Sequence, residues 1–213
     1  MLKPPSPAST TLYSYDDDLK SHVVRFIMAE KFIEADIINT VPEKMPEEVL
    51  ILNPYKTLPV LFDRGQVLYE LSVIYEYLDE RFPFPRLLPI DLIDKAEKRL
   101  LIFRFTNAKD SWYELVKIIQ TEKAKKANEA RKILKSELIN LVPLFAYKPY
   151  FKSDTMTMAD VCLAPILWRL KRLDIDLGNK AKPIYDYAER IFKASGFEKS
   201  LTDKERNISP FSS

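Results

Sequence analysis

Four hydroxyls and three carboxylates crowd one short stretch near the start of the chain: Tyr13, Ser14, Tyr15, Asp16, Asp17, Asp18 and Ser21. A hydroxyl at a helix start can steady a thiolate, whereas carboxylates beside a thiol raise its pKa by like-charge repulsion. The stretch therefore has groups for sulfur chemistry and the wrong local charge for it. Cys162 is the only cysteine and His22 the only histidine, which excludes an internal disulfide and a Cys- or His-clustered metal site. Cys162 sits in the apolar run Val161-Cys162-Leu163-Ala164 and reads as a small core residue, and His22 reads as a residue on the exposed side of a helix. Thr157 and Asp160 have the spacing of a capping box with Asp in place of Glu, so Asp160 is expected to be structural. Pro83-Phe84-Pro85-Arg86 puts an aromatic and a cation among prolines, the composition of a pre-ordered interface anchor; the competing expectation is that Phe84 tucks into the core.

Such groups act only where a scaffold holds them. Residues 58–62 and 66–69 are extended apolar runs joined by Asp63-Arg64-Gly65, with glycine where a hairpin wants a positive φ. Residues 72–82 follow with Val73, Ile74, Tyr77, Leu78 and Arg81 at helical spacing. Pro59, at the mouth of the first run, has no N–H for a ladder and is a candidate for a cis peptide. Upstream, 11–15 reads as strand, 19–31 as helix and 35–39 as a second strand, made parallel to the first by the intervening helix. A short helical turn is expected at 47–52. Residues 11–82 thus predict βαβ, a short helix and ββα, a thioredoxin-like α/β domain.

Pro83, Pro85 and Pro89 make 83–91 a stiff linker. Residues 92–202 read as an all-α domain: helical patterns over 92–120 and 121–141, a buried helix from Thr157 that Pro165 should bend, and a helix opened by Pro183 with Gly196 at its exit. Trp112, Tyr113 and Trp168 read as packing residues. Residues 1–10 form a Pro-rich tail lacking the apolar core of a secretion signal, and 203–213 a frayed polar end. Of 213 residues 46% are apolar and 30% charged, with no run of about 18 apolar residues to span a bilayer. Residues 1–86 hold 9 Lys and Arg against 14 Asp and Glu, and the remainder 24 against 17, so the second domain is the basic one. No basic stripe with interleaved aromatics marks a nucleic-acid footprint.

The domain order, the Leu58-Pro59-Val60-Leu61 strand, Glu70 before the third helix and the Thr157–Asp160 box together resemble the glutathione transferase superfamily over almost the whole chain. Within it, 78–83, Lys148-Pro149-Tyr150-Phe151, Asp160 and 163–170 are similar in order and spacing to the stringent starvation protein A family. That resemblance implies a non-enzymatic, cytoplasmic regulator of transcription that associates with bacterial RNA polymerase and its sigma subunit in starvation and stress. It implies a dimer with a second copy or a paralogue, no sequence-specific nucleic-acid contact and no membrane. A glutathione-dependent transferase or reductase is the alternative.

Against that alternative, the carboxylates 16–18 oppose thiolate formation, and the acid-Ser pair that grips glutathione is broken, since Leu71 follows Glu70 and Ser72 comes one residue late. No catalytic, cofactor or metal residue is therefore expected, with Pro59, Glu70, Thr157 and Asp160 as structural residues. The family's polymerase-facing loop is typically Pro-His-Pro, which maps the partner site onto Pro83, Phe84, Pro85 and Arg86 with Phe84 as a departure. The dimer face is expected on the third helix at Leu71, Tyr75 and Asp79, with Arg99 and Arg104 along a seam suited to an anionic effector such as guanosine tetraphosphate.

Overall fold

The computed structural model describes residues 9–208, which form two compact units. One runs to Pro85 and takes in Ser195–Glu205, and the other is built on Arg86–Ala194. The tail expected over 1–10, and the end of that expected over 203–213, lie largely outside the described residues.

The first unit opens with β1 (Thr11–Ser14), α1 (Leu19–Glu30), β2 (Asp36–Asn39), α2 (Glu47–Leu52), the hairpin β3 (Val60–Asp63) and β4 (Gln66–Leu68), and α3 (Leu71–Arg81). The sheet order is β2-β1-β3-β4, with β1 parallel to β2 (Leu12 opposite Ile37) and antiparallel to β3 (Leu12 opposite Leu61). Leu12 and Tyr13 point to opposite faces and both are fully buried, as a strand covered on both sides requires. Arg64 and Gly65 both have positive φ, the two-residue turn whose twist suits a hairpin, so the connection is one residue shorter than the sequence suggests. Asp18 caps α1 by accepting the Ser21 N–H at 2.6 Å, which gives one of the three crowded carboxylates a structural task. The Leu58–Pro59 peptide is cis.

The second unit holds α4 (Leu92–Thr106), α5 (Trp112–Thr121), α6 (Ala124–Asn140), α7 (Val142–Tyr147), α8 (Met158–Trp168) and α9 (Lys182–Phe192). The span 92–120 is two helices because Ser111 caps a new start, accepting the Glu114 N–H at 3.2 Å. Every residue of α8 from Met158 to Leu167 is buried, so this helix, apolar all round, is the centre of the unit. Each large apolar side chain fully buried there contributes about 1.5–3 kcal/mol. The Tyr113 hydroxyl donates to the Cys162 carbonyl at 2.8 Å, and burial pushes the Cys162 thiol far above its ordinary value, so this cysteine is an inert core residue. Part of the expected linker belongs to this unit: Leu87 and Leu88 are buried, and the Leu87 carbonyl accepts the Met158 N–H at 2.7 Å.

The chain then adds α10 (Ser195–Ser200) and α11 (Asp203–Arg206), and here the expected boundaries fail. Residues 195–205 belong with the first unit, not with the helical domain. Glu205, expected in a frayed end, is fully buried with its carboxylate 2.7 Å from Arg25 Nη2. Gly196 is inside α10 and not an exit cap: a Cβ there would lie 2.9 Å from Glu30 Cα and 3.0 Å from Glu30 N, so glycine permits α10 to lie against α1.

Candidate functional site

Of the four hydroxyls that could serve sulfur chemistry, the two serines are already engaged, while the Tyr15 side chain is exposed. Ser14 is fully buried, and its Oγ accepts a hydrogen bond from Arg25 Nη1, which also donates to the Tyr15 carbonyl at 3.2 Å. Ser21 Oγ accepts the Tyr15 N–H at 3.1 Å, and Tyr13 is buried in the core with Met45, Val49 and Val60. Arg25 is held in turn by the Ser200 carbonyl at 2.8 Å and by Glu205. A polar pocket of about 270 Å³ opens nearby between Tyr15, Asp16, Thr40, Lys44 and Lys204, where Lys204 pairs with Asp16 at 3.2 Å.

At the start of α3, Leu71 occupies the position after Glu70 and is fully buried, while Ser72 is half-buried. Glu70 has φ 68° and makes no side-chain cap to the helix.

His22 is not on an exposed face but fully buried, with Nε2 3.0 Å from Ser200 Oγ and Nδ1 3.5 Å from Glu205 Oε1. A serine, an imidazole and a carboxylate in line suggest a nucleophile and its base. The Ser200 hydroxyl, however, donates to the Phe197 carbonyl at 2.6 Å, so the imidazole has no proton to take from it, and none of the three is open to a substrate. The cluster fastens α10 and α11 to α1. Two polar residues, His22 and Arg25, among the apolar residues of α1 were the available signal for it.

The Pro83–Pro85 loop is the opposite case. Phe84 is 83% exposed, so it does not tuck into a core, and Pro85 and Arg86 are exposed with it. The loop is fixed from beneath: the ammonium of Lys31, buried and 2.7 Å from Asp79 Oδ1, donates to the carbonyls of Phe82 (2.7 Å) and Pro85 (2.6 Å). The Phe84–Pro85 peptide is cis. An aromatic ring projecting from a loop already held in place loses little conformational freedom on docking.

The other expected sites divide. Leu71, Tyr75 and Asp79, expected to meet a partner, are buried within the first unit, because the i, i+4, i+8 face of α3 is the one that packs inward; Asp79 is spent on Lys31. Arg99 and Arg104 are exposed on α4, beside an apolar stripe of Leu92, Ala96, Leu100 and Phe103 at i, i+4, i+8 and i+11 that the helical pattern marks as a packing face and that is exposed in this chain. Thr157 and Asp160 form the capping box, and the same carboxylate also accepts from the Phe151 N–H and the Tyr187 hydroxyl, both at 2.7 Å. A second cavity, of about 430 Å³, lies between α7 and α9, but Lys148 and Asp186 on its wall are paired with Asp154 and Lys182. Among the described residues no cluster of His, Cys, Asp or Glu could hold a metal ion, and no helix is long and apolar enough to cross a membrane.

Family models for the N-terminal and C-terminal domains of glutathione S-transferase match residues 20–81 and 99–194. A stringent starvation protein A homolog from Coxiella burnetii is 42% identical over 93% of this chain and 94% of its own. The corresponding homolog from Haemophilus influenzae is 36% identical over 90% of this chain and 89% of its own. Among solved structures, a glutathione S-transferase from Sinorhizobium meliloti 1021 superposes with a TM-score of 0.81 over 96% of this chain and 97% of its own; at 24% identity it shows the fold.

Proposed function

The chain belongs to the stringent starvation protein A family of the glutathione transferase superfamily, and from that membership we propose a non-enzymatic, cytoplasmic, RNA polymerase-associated regulator of transcription in starvation and stress, working as a dimer. The observation that carries the reading is the Pro83–Pro85 loop, where the chain exposes Phe84 on a backbone clamped by Lys31. A buried phenylalanine would stabilise the fold; an exposed one on an ordered loop suits an interface anchor for the polymerase and its sigma subunit.

The alternative, a glutathione-dependent transferase or reductase, loses support at two places in the same structure. Of its candidate thiolate donors, Ser14 is buried under Arg25 and Ser21 is taken by the Tyr15 N–H, and its ligand-gripping serine is replaced by buried Leu71. The exposed stripe on α4, rather than α3, is the face we assign to dimerisation, with a second copy or a paralogue; Arg99 and Arg104 beside it would present cations to an anionic effector such as guanosine tetraphosphate. Two columns separate the readings: immobilised RNA polymerase holoenzyme should retain the protein, and immobilised glutathione should not. Glutathione retention with turnover in a thiol-conjugation assay would replace this function with the enzymatic one.

A further inference from the structure

Phe32 follows directly on Lys31, the residue whose ammonium clamps the Phe84 loop, and it is 73% exposed at φ 54°. The end of α1 is a complete Schellman motif, with the Phe32 N–H donating to the Ala29 carbonyl and the Ile33 N–H to the Met28 carbonyl at 2.8 Å. Phe32 holds the left-handed position of that motif, which glycine adopts without strain and a bulky side chain resists. Neither local conformation nor burial favours a phenyl group here. Its ring makes a contact of another kind, with Lys199 Nζ of α10 lying 5.9 Å from its centroid. The ends of α1 and α3 are tied together through Lys31 and Asp79, so both exposed rings, Phe32 and Phe84, stand at the same end of the first unit.

We propose that Phe32 is a second aromatic anchor of the polymerase-binding surface, and that the polymerase surface it meets is apolar with carboxylates at its rim. This inference rests on the loop reading above and extends it to a residue outside the loop. The acidic rim follows from charge: among the described residues neither Lys199, over the Phe32 ring, nor Arg86, the residue after Pro85, has a carboxylate partner. Two uncompensated cations next to two exposed rings are complementary to an acidic, apolar recess.

The left-handed backbone provides a clean test, because Phe32→Gly relaxes the conformation while removing the ring. Affinity for purified RNA polymerase holoenzyme and the melting temperature would be measured for wild type, Phe32→Gly, Lys199→Glu and Phe84→Ala. The expected result is at least a tenfold loss of affinity in Phe32→Gly with an unchanged or higher melting temperature, and a comparable loss in Lys199→Glu that grows with falling salt. Wild-type affinity in Phe32→Gly, with Phe84→Ala impaired, overturns this inference and leaves the loop reading standing. Wild-type affinity in both overturns both. A loss in Phe32→Gly accompanied by a lower melting temperature also overturns it, since the ring would then be structural.

Discussion

Asp160 concentrates more of the second unit's order than a capping residue alone would. Its carboxylate accepts from the Thr157 N–H and hydroxyl, the Phe151 N–H and the Tyr187 hydroxyl, joining the start of α8 to a loop and to α9. Burial pushes its pKa up and those hydrogen bonds pull it down, with burial the larger influence. Losing a cap costs roughly 0.5 to 2 kcal/mol, but Asp160→Ala also strands buried donors, so urea denaturation should show a loss of about 3 kcal/mol. A loss near 1 kcal/mol would mean that water replaces the carboxylate. Glu30 offers a pH test. It is half-buried, and desolvation raises its pKa above the ordinary 4.5. Between the two values the folded state binds more protons than the unfolded one, so this contribution is complete at low pH and lost as pH rises through the folded pKa. Stability of the wild type should fall relative to Glu30→Gln as pH goes from about 4 to 7; parallel profiles would contradict it.

At the level of elements, Gly196→Ala would push a methyl group into the backbone of Glu30 and should destabilise the first unit by about 1–3 kcal/mol. An unchanged melting temperature would show that α10 can shift away from α1. Most elements of both units were legible in the sequence, because their periodicities are long and their punctuation strong: the hairpin glycine, the proline-bounded third helix and the Thr157 start all stand where the pattern puts them. What was not legible has one physical cause, that periodicity identifies an apolar face but not the element that covers it. The inward burial of Leu71, Tyr75 and Asp79, the engagement of His22 by Ser200 and Glu205, and the return of 195–205 to the first unit are all long-range pairings. The loop stood out in the sequence by its composition, whereas the exposure of Phe84 and the left-handed backbone at Phe32 became visible only with the fold in place.

For the molecule as a whole, the proposed function needs two exposed surfaces, one for a second chain and one for polymerase. Placing charge in the α4 stripe with Leu100→Glu and Phe103→Glu should convert a dimer to a monomer at tens of micromolar in sedimentation without lowering the melting temperature of the monomer, since both side chains are already exposed. A wild type that sediments as a monomer would remove the stripe's assigned role. The central claim is that the clamped, aromatic-tipped loop is what polymerase recognises. The affinity of immobilised RNA polymerase holoenzyme for the wild type and for the Phe84→Ala, Arg86→Ala double variant tests it most directly. The account predicts at least a tenfold weaker complex for the double variant with its dimer and melting temperature unchanged; an equally tight complex would contradict it.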